Sequence, residues 1–215
     1  MKSEETQFRI LTSALELFHE RGFEAATMRD IATRAKVATG AAYYYFTSKD
    51  AIVLAFYRRA ADEMAPQLQE ALSGSTDLRK RLAGILEVKL RYFEPSRRLL
   101  TALAAHVDPM NPLSPFSDQT REIREQDVKV FERAITDSRL RVPEDLKGAL
   151  PHLLWMYQMG LILYWIHDIS PSQEKTRALI ERSLRILVRL LQLSSLPLMR
   201  PLRRQILDLY SVVYR

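Results

Sequence analysis

A chain of 215 residues, 47% of them hydrophobic and 27% charged, has enough apolar material for a sizeable core, which excludes a disordered polymer. With no cysteine there is no disulfide framework, thiolate metal site or thiol nucleophile, a composition that fits a reducing, cytoplasmic compartment. The net charge of +6 permits a polyanionic partner, and where that charge sits matters more than its size.

The chain opens on Lys2, Ser3, Glu4 and Glu5, so no secretory apolar segment is read there. A first helix is expected over residues 4–21, with Phe8, Leu11, Leu15 and Phe18 as its apolar stripe and Gly22 as the residue that ends it. Thr27 with Asp30 three positions on has the spacing of a capping box and starts a second helix, whose inward side is Met28, Ile31, Ala32 and Ala35. Val37 plugs the turn that follows. Thr39 is expected to cap a third helix, and Ser48 opens a fourth. Helices shorter than about 12 residues are marginal alone, so this dense succession needs a shared core. Two short helices across a tight turn, the second with a solvent-ready Tyr face, form a helix-turn-helix suited to DNA.

Within that unit Ala41 and Tyr44 lie one helical step apart and are expected to face outward, while Phe46 faces inward. Gly40 allows close approach to a duplex. Arg29, Arg34, Lys36 and Lys49 against Asp30 give a modest positive excess where a phosphate backbone would lie. From Lys49 a longer helix runs over 49–72, with Pro66 expected to kink or break it. Gly74, Ser75 and Thr76 read as a linker. Further helices are expected near 77–93, 96–106, 118–137, 143–167, 173–193 and 202–214, bounded by Pro95, the Pro109/Pro112/Pro115 cluster, Pro171, Pro197 and Pro201.

No stretch alternates apolar and polar residues long enough for a sheet, so the fold class is all-α: an N-terminal three-helix head and a helical body. The head spans 1–48 and the body 49–215, with 49–72 as linking helix and 197–215 as C-terminal extension. Ala149 to Ile166 carries no charge, close to the minimum of about 18 residues for a membrane span. Pro151, His152, Gln158 and Gly160 within it favour a helix buried in a core or a subunit interface, so no integral membrane segment is expected. The bases Arg177, Arg182, Arg185, Arg189, Arg200, Arg203, Arg204 and Arg215, against Glu181 and Asp208, read as a solvated face and a basic tail.

The ordered set Ile10-Leu11, Ala14-Leu15-Glu16-Leu17-Phe18, Glu20-Arg21-Gly22-Phe23, Thr27-Met28-Arg29-Asp30-Ile31-Ala32, Val37 through Phe46 and Ser48-Lys49-Asp50 closely resembles the tetracycline-repressor (TetR) family. It covers Phe8 to Leu54, about the first quarter of the chain. The resemblance implies phosphate contacts at Thr27, Tyr43 and Lys49, positions at or near base edges for Thr39, Ala41 and Tyr44, and Tyr45 close to the backbone. Arg29, Lys36 and Gly40 complete the candidate DNA-binding set. Two positions depart from the family pattern. Lys36 stands where the family usually has Gly; a positive φ there would strain it by about 1 kcal/mol, offset by a phosphate contact. Ala38 and Thr39 follow Val37 where the family often has Ser at once, so the third helix is expected to start one residue late. With no Arg, Asn or Gln in that helix, base readout would rest on Tyr hydroxyls, Ala and Thr contacts to thymine methyls and backbone positioning.

For the body the resemblance implies a homodimer closed by a four-helix bundle of the last two major helices, since one head reads one half-site. Leu154, Leu161, Leu179, Ile186, Leu187 and Leu190 are the candidate seam. It also implies a small-molecule pocket whose occupant moves the linking helix. Tyr92, His106, Phe131, Trp155, Met159 and Trp165 are candidate lining residues, although each taken alone is more often ordinary core; their mix favours an apolar or aromatic effector. The expected partners are double-stranded DNA, a second copy and that effector, with no cofactor. The function implied is a ligand-responsive regulator, most commonly a repressor. An enzyme is disfavoured, because His19, His106, His152 and His167 lack metal-ligand spacing and no Gly-rich phosphate loop is present. The alternative is a helical dimeric interaction protein or an activator, its basic 197–215 segment docking on a membrane surface or partner.

Overall fold

The computed structural model describes residues 2–105 and 108–213. They form eleven α-helices: α1 (Lys2–Arg21), α2 (Met28–Arg34), α3 (Thr39–Tyr45), α4 (Lys49–Ser73), α5 (Leu78–Phe93), α6 (Arg97–Leu103), α7 (Arg121–Thr136), α8 (Glu144–Lys147), α9 (Leu150–Ile166), α10 (Glu174–Ser194) and α11 (Arg200–Val213). No strand occurs among the described residues, so the fold is all-α. The chain divides into two compact units, one of residues up to Glu63 with Tyr92–Arg124, the other of Met64–Arg91 with the residues from Glu125 onward.

In the first unit α1, α2 and α3 share one core. α1 buries Ile10, Leu11, Ala14, Leu17 and Phe18, positions that recur at 3.6-residue spacing, and they pack with Ile31, Ala32, Ala42, Phe46 and Ile52. The stripe expected from Phe8 needs correcting: Phe8 is exposed, and the Arg59 guanidinium lies 4.3 Å from its ring centroid. Gly22 adopts a φ of +88°, and its amide donates to the Phe18 carbonyl at 3.0 Å, closing α1. Leu99, Leu103 and Leu113 complete this core, and Arg98 donates to the His19 carbonyl at 3.0 Å.

Of the kink or break expected at Pro66, the break does not occur: α4 runs through it. Proline removes one helical hydrogen bond, the one to the Asp62 carbonyl; both residues are exposed, so water can take its place. The buried side of α4 is Phe56, Ala60, Met64, Leu68 and Leu72.

In the second unit α4 and α5 pack closely: a Cβ on Gly84 would come within 3.0 Å of the Ala71 Cβ. The expected helix over 143–167 is two helices. Pro151 would forfeit the bond to the Lys147 carbonyl inside one continuous helix, and α9 instead begins with Pro151 in its first turn. Likewise α11 begins at Arg200 with Pro201 in its first turn, not after it. Two buried arginines brace the unit. Arg81 donates to the carbonyls of Ser75, Arg133 and Ala134 at 2.6, 3.1 and 3.4 Å. Arg203 reaches Asp145 at 3.0 Å and the Ser194 carbonyl at 2.5 Å, fixing α11 beside α8 and α10.

Candidate nucleic-acid interface

The Thr27 hydroxyl accepts from the Asp30 amide at 3.1 Å and donates to its carboxylate at 2.6 Å, while the Thr27 amide donates to the same carboxylate at 3.1 Å. These bonds hold the Asp30 carboxyl below its ordinary range. Because the box engages the amides of Thr27 and Asp30, those of Met28 and Arg29 are the first-turn donors it leaves for an anion. Arg29 is exposed beside them.

After α2 the chain turns at Lys36, whose φ is +53°. Its amide donates to the Thr33 carbonyl at 3.1 Å, and that of Val37 donates to the Ala32 carbonyl at 3.0 Å. This paired closure is the motif in which a left-handed residue ends a helix, here with an exposed lysine where glycine would be unstrained. The turn also decides where α3 begins. Ala38 is its N-cap with extended backbone and no side-chain capping bond, and Thr39 is its first residue, so the expected threonine cap and one-residue shift are both corrected. Losing a hydroxyl cap costs about 1 kcal/mol, and it leaves the first-turn amides of α3 without a side-chain acceptor.

α3 separates cleanly into two sides. Ala42 is fully buried and Phe46 nearly so, while Thr39, Gly40, Tyr43 and Tyr44 are exposed, Tyr44 at 82%. A Cβ on Gly40 would meet no atom of the chain within 4 Å, so the packing of this protein does not require glycine there. Ala41 and Tyr45 are half-buried, so Ala41 faces outward less than expected. Tyr45 accepts from the Ser3 hydroxyl at 3.3 Å and its ring meets that of Tyr44 edge-on at 5.3 Å.

Two cations are engaged within the fold. Arg34 grips Glu20 through both guanidinium arms at 2.7 and 2.6 Å, raising its own pKa and lowering that of Glu20, so its charge serves α1 and not an external anion. The Lys49 ammonium donates to the carbonyls of Phe23 and Glu24 at 2.7 and 3.2 Å and lies 4.7 Å from the Phe23 ring centroid. Lys49 is thus first a latch from α4 onto the turn before α2, with one donor beyond those two bonds. Ser48 caps α4, accepting from the Ala51 amide at 3.1 Å.

The body residues named from sequence are distributed over both units. Tyr92 belongs to the first unit, where its hydroxyl donates to Glu63 at 2.6 Å; burial and the neighbouring carboxylate push its pKa up. Phe131, Trp155, Met159 and Trp165 belong to the second unit, and His106 lies outside the described residues. Trp165 is fully buried with its indole N–H on Gln173 at 2.9 Å, which makes it an anchor of the α9–α10 turn. Leu154 and Leu161 are buried in the protomer's own core, so they are withdrawn from the seam. Leu179, Ile186 and Leu190 are exposed along one face of α10 with Leu193, Leu187 is half-buried, and α9 exposes Met156, Leu163 and Tyr164.

Sequence reading missed one constellation. Lys89 on α5 is 3% exposed and ion-paired with Asp127 on α7, and the other oxygen of that carboxylate accepts from the Gln158 side-chain amide on α9 at 2.8 Å. The Gln158 Oε1 is buried with no hydrogen-bond partner, a condition that costs about 1–3 kcal/mol. The available signal was a lysine in the Leu82, Ile85, Leu86 register of α5 and a glutamine in the uncharged α9. No helix of the described residues is long and apolar enough to cross a membrane.

Residues 10–56 match the family model described as bacterial regulatory proteins, tetR family. Residues 81–209 match that of the tetracyclin repressor-like C-terminal domain, more than half of the chain. The HTH-type transcriptional activator FasR of Mycolicibacterium smegmatis is 27% identical over 175 residues, 78% of this chain and 75% of its own length. The HTH-type transcriptional repressor KstR2 of Rhodococcus jostii is 28% identical over 150 residues, 67% of this chain and 72% of its own. Among solved structures, NalD of Pseudomonas aeruginosa, the secondary repressor of the MexAB-OprM multidrug efflux pump, superposes with a TM-score of 0.59 at 25% identity, covering 86% of this chain and 96% of that one. The TetR family regulator PfmR of Thermus thermophilus gives 0.57 at 23% identity over 82% and 94%. With both family models matched in order along the chain, and a head that presents an exposed tyrosine face, this chain belongs to the TetR family and is a DNA-binding transcriptional regulator, not an enzyme.

Proposed function

We propose that the protein is a homodimeric repressor whose two α3 helices read a palindromic operator and whose body releases it on binding a small apolar or aromatic effector. The observation that carries the DNA half is the exposed Thr39, Gly40, Tyr43 and Tyr44 side of α3, set against a buried Ala42 and Phe46. Thr39, Tyr44 and, from its half-buried place, Ala41 supply base-edge contacts through hydroxyls and methyls. Thr27, Arg29, Lys36, Tyr43, Tyr45 and Lys49 line the backbone side, where phosphate contacts set register without carrying sequence information. Two heads on a two-fold axis then meet half-sites about 34–36 Å apart or a multiple of it. The apolar faces of α9 and α10 support the dimer.

For the effector, an inducer needs only a few kcal/mol of differential affinity to shift the DNA-binding equilibrium, acting through α4, which carries residues of both units. The names of similar proteins include both a repressor and an activator; repression is proposed because occupancy of an operator by a bulky dimer suffices for it. The test is selection of bound sequences from a random duplex pool, followed by a reporter assay on the selected site. A two-fold symmetric site that silences the reporter is expected. Failure to enrich any sequence would remove the sequence-reading role of α3, and raised reporter output would replace repressor by activator.

A further inference from the structure

We infer that the buried Lys89–Asp127–Gln158 cluster is the polar end of the effector site and selects an uncharged ligand bearing a hydroxyl group on an apolar body; this rests on the effector reading above. The cluster joins three helices of one unit through the two oxygens of a single carboxylate, one taken by the Lys89 ammonium and the other by the Gln158 amide at 2.8 Å. Around it one helical step away lie Ile85 and Leu86 on α5, Phe131 on α7, and Leu154, Trp155 and Leu161 on α9, all buried. Such a site is apolar with a few fixed polar groups, the composition of small-molecule sites generally.

What it lacks is specific. Gln158 is 2% exposed and its Oε1 has no donor. Among the described residues one of the three N–H groups of Lys89 is engaged, by Asp127, and the Phe131 ring centroid lies 5.8 Å from the ammonium. The cluster therefore joins, through one carboxylate, an unpaired acceptor on Gln158 and an ammonium with N–H groups beyond its Asp127 pair. A single hydroxyl answers both: its hydrogen goes to Gln158 Oε1, and its oxygen accepts from Lys89. Charge argues against an anion. Asp127 already neutralises Lys89, so a carboxylate ligand would add an uncompensated negative charge in a medium of low polarity. A hydrocarbon would leave the Gln158 oxygen unpaired. The preference is thus set by hydrogen-bond satisfaction, which discriminates more sharply than apolar fit.

The test uses the full chain with three probes that share one body, para-propylphenol, para-propylbenzoate and propylbenzene, measured by thermal shift and by native mass spectrometry. The phenol is expected to bind about tenfold more tightly than either other probe. In Gln158→Met that preference over propylbenzene should vanish while propylbenzene affinity stays, and Gln158→Asn, which shortens the reach, should reduce it. Unchanged helical signal and a single cooperative melting transition show that each variant is folded. A preference for the benzoate, or a phenol preference that survives both substitutions, overturns this inference and leaves the effector reading standing. If no probe binds the unsubstituted protein, the inference fails; if DNA release is also insensitive to every small molecule in a broad screen, the effector reading fails with it.

Discussion

At Lys36 a φ of +53° places an L side chain in the left-handed region, which costs about 1 kcal/mol or more outside glycine. Lys36 is exposed at the turn between α2 and α3, and the compensating feature we propose is a contact of its ammonium with a DNA phosphate. Lys36→Gly should therefore raise stability by about 1 kcal/mol in denaturant titrations. It should also weaken binding to all duplexes alike and lower the salt slope by about one. Unchanged affinity and slope would mean that the lysine has no phosphate role. The positive φ was legible from sequence because a family glycine position names its own conformation. Other roles were not. Thr39 looks like a cap, yet the closure at Lys36 and Val37 ends the turn at Ala38, and only the position where a turn ends decides which residue caps. Lys49 looks like a phosphate ligand, yet its latch partners Phe23 and Glu24 are more than 20 positions away and contribute carbonyls, which every residue has.

The helices of the body were legible where apolar spacing alone decides them and less so where proline does. α5, α7 and α10 lie close to their expected ranges, whereas Pro66 is passed over and Pro151 starts a helix instead of lying inside one. The difference is what becomes of the freed carbonyl: exposed on α4, it needs no partner from the fold. The turn from α9 into α10 depends on a side chain that periodicity does not reveal. Buried Asp168 accepts from the Ser170 amide and hydroxyl at 2.9 and 2.6 Å, and from the Thr176 amide and hydroxyl at 2.9 and 2.6 Å. These four donors favour the carboxylate and hold its pKa well below the ordinary range. A depressed folded-state pKa gives stability that is present above the unfolded value, near 3.8, and is lost as pH falls below it toward the folded value. Asp168→Asn should lower the melting temperature at neutral pH and narrow its difference from the unsubstituted protein in strong acid. A melting-temperature gap that stays constant from neutral pH down into the acid limb would contradict this role for the carboxylate.

Across the whole molecule, the head was readable because its helices are close in sequence, whereas the polar cluster of the body joins positions 38 and 31 residues apart and leaves no local pattern. The proposed dimer seam falls between these cases. Periodicity identified α10 and its apolar side, but it could not distinguish a leucine that faces its own core from one that faces outward on α9. Leu154 and Leu161 are of the first kind and Leu163 is of the second, and on α10 Ile186, at 60% exposed, also faces outward. A two-fold axis doubles any change at such a residue. Ile186→Asp introduces one carboxylate per protomer into the proposed seam, each desolvated without a partner at a cost of several kcal/mol. Sedimentation should then show a monomer with undiminished helical content. Its affinity for a palindromic operator should fall steeply, while that for an isolated half-site stays. Leu154→Asp makes the opposite change: a charge within the protomer core should cost folding itself, visible as lost helical signal. If Ile186→Asp remains dimeric at concentrations where the unsubstituted protein is dimeric, the α10 face is not the seam, and the two heads must be paired through another surface.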